Sequence, residues 1–134
     1  MNHESRLQIV VVGYLNSVLP KGAVFWSVPN GGRKSIAGHK MANAMGQLPG
    51  ASDLMVLWLG RLHCIELKVK KDPVHGIPRT TKQSAAQVEF QIAVEAMGAP
   101  YAVCRSTLDV RDALIEWGIP IKEKPGQGSN PDRA

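Results

Sequence analysis

DLMVLWLGRLHCIELKVK, residues 53–70, decides the fold of this chain. Two apolar runs rich in β-branched and aromatic residues flank a glycine, which reads as two strands joined by a tight turn. With Gly60-Arg61 as the turn, Asp53 stands opposite Lys68, Met55 opposite Glu66, and Asp53 lies diagonal to Glu66. Opposed residues share a face, and a strand returns to that face at every second residue. Two carboxylates and one amine therefore converge. A three-residue turn would carry Asp53 to the other face, so the grouping depends on register. Carboxylates this close repel unless a cation lies between them, and a neighbouring lysine can position a water. The pattern points to a metal-dependent phosphodiesterase centre. Its structural alternative is an ion pair, Glu66–Lys68 or Asp53–Lys68, at a sheet edge.

The rest of the chain supplies the setting. With 134 residues, 44% hydrophobic and 20% charged, one domain is expected over residues 1–121, burying roughly 68% of its unfolded surface. The polar KEKPGQGSNPDRA, residues 122–134, reads as a disordered tail. Asn2–Arg6 is polar, and IVVVGYLNSVL (9–19) is too short and interrupted for a membrane span. A cytoplasmic location follows as an expectation. Cys64 and Cys104 are read as buried free thiols, with a disulfide or metal pair as the alternative.

The net charge of +5 is concentrated: residues 27–82 hold nine Lys or Arg against three acids. A basic zone around an acidic centre suits a polyanion, because acids alone would repel phosphate. A solubilising surface is the bland alternative. Three Trp, two Tyr and two Phe make a base-stacking platform a poor reading. The four histidines have no zinc spacing, and PNGGRKS lacks the phosphate-loop pattern.

Helical periodicity covers residues 3–19, with Glu4, Leu7, Gln8, Val11, Leu15 and Val18 on one stripe. A strand is expected over 23–28, then the turn-rich PNGGRK, a short helical turn within 39–47, and the hairpin. Residues 70–82 read as a loop. A helix over 84–97 has Ser84 and Gln87 at capping-box spacing and Gly98 as its stop. A strand at 100–104 and a helix at about 107–117 complete an α/β domain.

That order, with Glu-x-Lys in the third strand, resembles the restriction-endonuclease-like PD-(D/E)XK nucleases. More narrowly, the chain is similar to stand-alone VRR-NUC (virus-type replication-repair nuclease) domains of phage and bacteria. The matching segments are Glu4 with Gln8, SVPNGGRK (27–34), GASDL (50–54), CIELKVK (64–70), Ser84 with Gln87, and PYAVCRS (100–106). They span about residues 3–118. Ser52 departs from the proline that the family usually carries there.

The resemblance implies an αβββαβ core, a mixed sheet flanked by helices, and an added C-terminal helix. It implies that Asp53, Glu66 and the Leu67 carbonyl ligate Mg2+ or Mn2+, and that Glu4 joins them directly or through water. As a first-turn acid, Glu4 also has a simpler role in complementing the helix dipole. Lys68 would orient the attacking water, and Gln87 would support it, with helix capping as the rival role for Gln87. Asn30, Gly31, Gly32, Arg33 and Lys34, together with Lys70, Lys71, Arg79 and Lys82, would contact DNA. As an ordinary turn, Asn30–Arg33 needs no ligand. Family members of this kind are associated with homodimers and with branched DNA such as four-way (Holliday) junctions, hence with DNA repair. The alternatives are a non-catalytic basic DNA-binding module and a nuclease of ordinary duplexes.

Overall fold

A computed structural model of the chain describes residues 1–29 and 35–123. The hairpin is its centre. Strand β2 (Leu54–Trp58) pairs antiparallel with β3 (Arg61–Leu67), Trp58 opposite Arg61 and Leu54 opposite Ile65. The turn is therefore Leu59-Gly60, one residue earlier than the sequence pattern suggests. Both residues have positive φ, 48° and 76°, as a two-residue turn that follows the strand twist requires. Leucine seldom adopts that conformation, so the sequence carries no cue for it.

The correction moves every opposed pair by two residues. Met55 faces Cys64 rather than Glu66, and the same register sets Asp53 against Glu66 rather than Lys68. Because the shift is even, each side chain keeps its face. Leu59 is exposed and strained, so Leu59→Asn is expected to raise stability by about 1 kcal/mol. An unchanged or lower denaturant midpoint would contradict that account of the turn.

Around the hairpin, β1 (Val24–Ser27) adds antiparallel to β2, and β4 (Tyr101–Cys104) adds parallel to β3, giving the order β1-β2-β3-β4. The expected mixed sheet is present. Helix α1 (His3–Val18) and helix α4 (Thr107–Glu116) cover one face, where Val11, Leu15, Val110 and Leu114 pack on Leu54, Val56, Ile65 and Leu67. Helix α3 (Ala85–Ala96) covers the other, where Phe90 meets Met55 and Cys64. Alternation along β3 thus sends Ile65 and Leu67 into the larger core and points Cys64 and Glu66 toward α3.

Helix α2 (Ile36–Ala44) starts earlier than the helical turn expected within 39–47, because the Ser35 hydroxyl accepts the Gly38 N–H and caps it. His63 is a core residue, tilted against Trp117 at 5.0 Å, and burial pulls its pKa down. Cys64 and Cys104 are free and buried, and burial pushes the Cys104 thiol up to about 12. Lys122 donates its backbone N–H to Val18 O at 2.7 Å, and Arg111 pairs with Glu123. Among the described residues no helix is long and apolar enough to cross a membrane.

Candidate metal centre

The acids meet where the hairpin ends. Asp53 lies just before β2, and its Oδ2 accepts the Leu67 N–H at 2.7 Å, extending the pairing of β2 and β3 through a side chain. That bond fixes Asp53 beside Glu66. The Glu66 side chain is 1% exposed, and its buried Oε1 has no hydrogen-bond partner among the described residues. Its Oε2 accepts from Gln87 Nε2 at 3.1 Å and lies 3.9 Å from Lys68 Nζ.

A buried carboxylate with an unsatisfied oxygen is costly. Glu66 is accordingly pushed up to about 9, first by burial and then by the Asp53 charge and a carboxyl–carboxyl hydrogen bond, against the lowering pull of Lys68. Left to itself the pair takes up a proton. A small divalent cation would answer the same demand, since it prefers carboxylate and carbonyl oxygens and keeps waters in its other positions. The donor set fits such an ion.

Lys68 is itself buried, at 8% exposure. At 3.9 Å from Glu66 its ammonium is paired electrostatically but is beyond hydrogen-bond range. It therefore keeps donors for another acceptor.

Gln87 has the capping role weighed for it, and its other end meets Glu66 rather than Lys68. Its Oε1 accepts the Ser84 N–H at 2.8 Å while the Ser84 hydroxyl accepts the Gln87 N–H, forming the capping box of α3. Because Oε1 is committed to an N–H donor, only the Nε2 donors face Glu66, and the amide's orientation follows from the cap. Capping and site support are one arrangement. Gly50 makes it possible: at φ 76° it sits so close to the first turn of α3 that a Cβ there would press on the Ala86 carbonyl group and come within 2.6 Å of Gln87 N. Ser52, where the resemblance leads one to expect proline, is fully buried and donates to the Leu54 carbonyl at 3.3 Å.

Glu4 stands apart. It is exposed in the first turn of α1, where Asn2 caps the helix, and its charge is the smallest of the influences on Glu66. Among the described residues no three His, Cys, Asp or Glu side chains come together as a metal cluster.

Asn30, Gly31, Gly32, Arg33 and Lys34 lie outside the described residues. Lys70, Lys71, Arg79 and Lys82 are exposed, on a segment that is better organised than the expected loop. It contains a 3-10 turn at Pro73–His75, and the Thr81 backbone and hydroxyl bond to Val69. Arg105, which no sequence pattern singles out, donates from one nitrogen to the Val69 and Thr81 carbonyls, each at 2.9 Å. These contacts join positions 24 or more residues apart, and no local pattern signals them. Tyr101 is equally silent in the sequence: Gln83 donates to its hydroxyl at 3.2 Å, and burial followed by the Glu66 charge raises its pKa.

No family model matches the sequence, and no curated protein does. Two solved structures are similar over most of their length. A "VRR_NUC domain protein" superposes with a TM-score of 0.65 at 18% identity, covering 87% of this chain and 88% of the other. A "VRR_NUC domain" superposes with a TM-score of 0.53 at 23% identity, covering 87% and 97%. The four-stranded mixed sheet, flanked by helices as in restriction-endonuclease-like proteins, has the fold of a VRR-NUC domain.

Proposed function

We propose that the chain is a nuclease that hydrolyses phosphodiester bonds in DNA with Mg2+ or Mn2+. The observation that carries this reading is the buried, unsatisfied Glu66 carboxylate held against Asp53 with Lys68 alongside, in a fold shared with proteins named for a nuclease domain. Asp53 and Glu66 would hold the ion, with the Leu67 carbonyl beside them. Glu4, which forms no cluster with the pair, would act through water. Bound there, the ion supplies Lewis-acid stabilisation of phosphoryl charge and a more acidic water. Gln87, presenting only donors, would favour the ionised, acceptor form of Glu66 once an ion offsets the burial and the Asp53 charge that raise its pKa. Lys68, with its unused donors, orients the attacking water and meets the charge that develops on the phosphate.

DNA is the substrate that fits the basic zone formed by Lys70, Lys71, Arg79 and Lys82 with the Asn30–Lys34 segment. Branched DNA and a homodimer are the finer parts of the proposal. One chain offers one centre, whereas resolving a four-way junction takes two incisions related by symmetry, which a two-fold dimer supplies. The test is a cleavage panel of junction, flap, single-stranded and linear duplex DNA, with and without Mn2+, alongside light scattering. Metal-dependent cutting that prefers junctions, by a particle of twice the chain mass, is expected. DNA binding with no cutting under any metal would leave only a binding module.

A further inference from the structure

Two hollows lie along the other side of the sheet end that carries the acids. One, of about 500 Å3, is lined by His3 and Arg6 from α1, Lys70, Lys71 and Asp72 beyond β3, and Arg105 after β4. The second, of about 400 Å3, is lined by Lys70, Thr80, Arg105, Ser106 and Asp109. Lys70 and Arg105 line both, so the hollows form one groove. Its acids are already engaged: Asp72 accepts from the His75 ring at 2.6 Å, and Asp109 accepts the Arg105 N–H at 2.8 Å. Arg105 spends one guanidinium nitrogen on the Val69 and Thr81 carbonyls, which fixes it in place and leaves its other nitrogens for the groove. The groove is cationic, and Arg105 is tied to the backbone beside it.

Lys70 lies two residues beyond Lys68 on the segment that leaves β3, so the chain itself links the acid site to the groove. We infer that this groove is a second phosphate site: it takes a backbone phosphate of the DNA strand next to the bond that is cut, on Arg6, Lys70, Lys71 and Arg105. A continuous polyanion suits two joined hollows, whereas a single free anion would fill only one. The inference deepens the nuclease reading and rests on it for the identity of the polyanion.

The test uses the full chain carrying Arg6→Gln and Lys71→Gln, which spares Arg105 and its structural bonds. Lys21→Gln, between α1 and β1, is the control, and denaturant midpoints verify folding. The double variant should flatten the salt dependence of DNA binding, measured in Ca2+, by about two units of log–log slope, one per lost phosphate contact. It should also raise KM roughly tenfold while kcat stays within about twofold, as loss of uniform binding requires. Lys21→Gln should change neither. An unchanged slope in a folded double variant overturns the groove even if the wild type cuts DNA normally, and in that case the nuclease reading stands. Wild-type protein that binds DNA but never cuts it ends the nuclease reading, while the slope still decides the groove. In a parallel amide-NMR titration, inorganic phosphate that moves Arg6 and Lys70 signals while the DNA slope is unaffected would identify a free-anion site and overturn the strand assignment.

Discussion

Glu66→Gln is expected to lower metal-dependent cleavage by about a thousandfold or more while making the metal-free protein more stable at alkaline pH. The two effects share one cause. In the folded chain the Glu66 carboxyl titrates at about 9, against about 4.3 when unfolded. The folded state therefore holds the proton more tightly. Its contribution to stability is fully present below about pH 4 and is lost as pH rises through about 9, at up to about 1.4 kcal/mol per unit. Glutamine keeps the shape and still accepts from Gln87, but it has no proton to lose. Denaturant midpoints of metal-free wild type should fall between pH 5 and pH 9, and those of the variant should fall far less. Mg2+ or Mn2+ at pH 8 should restore the wild type and leave the variant unchanged, because the proposed ion needs both acids. Parallel pH profiles for the two proteins would show that Glu66 is not the group responsible.

The second large effect is expected at a residue that carries no charge. Gly50→Ala places a methyl group against the Ala86 carbonyl and the Gln87 nitrogen and forces a left-handed conformation on alanine. Overpacking and strain together should cost about 3–5 kcal/mol. Gly46, at φ 87° with nothing within 4 Å of where a methyl group would stand, isolates the strain: Gly46→Ala should cost about 1–2 kcal/mol. Equal losses in the two variants would mean that the turn and α3 yield freely. If Gly50→Ala folds, it should also cut poorly, since α3 must retreat and carry Gln87 away from Glu66.

Much of this is legible in the residues themselves. The alternation in DLMVLWL and CIELKVK places Asp53, Glu66 and Lys68 on one face, and that face survives a mistaken register because the error is even. The mistake lies with Leu59, whose left-handed conformation no propensity predicts. Ser84 and Gln87 announce a cap, whereas the reach of Gln87 to Glu66, 21 residues away, is not foreseen: the family resemblance implies support of the lysine or its water. Arg105 and Gly50 are opaque for a different reason. The importance of each comes from a partner distant in the chain, two carbonyls for the arginine and the start of α3 for the glycine, and local pattern carries no record of such meetings.

The bond from the Leu67 N–H to Asp53 and the amide of Gln87 on Glu66 also set when the acid site is completed during synthesis. The hairpin is local and closes early, but it supplies only the two acids. The donor from Gln87 arrives with α3, and the parallel pairing of β4 with β3 must wait for that whole crossover to be made. A chain still emerging from the ribosome therefore carries the two acids before the Gln87 donor reaches them. The acid site is complete only at the end of folding, after Cys104 has joined the sheet.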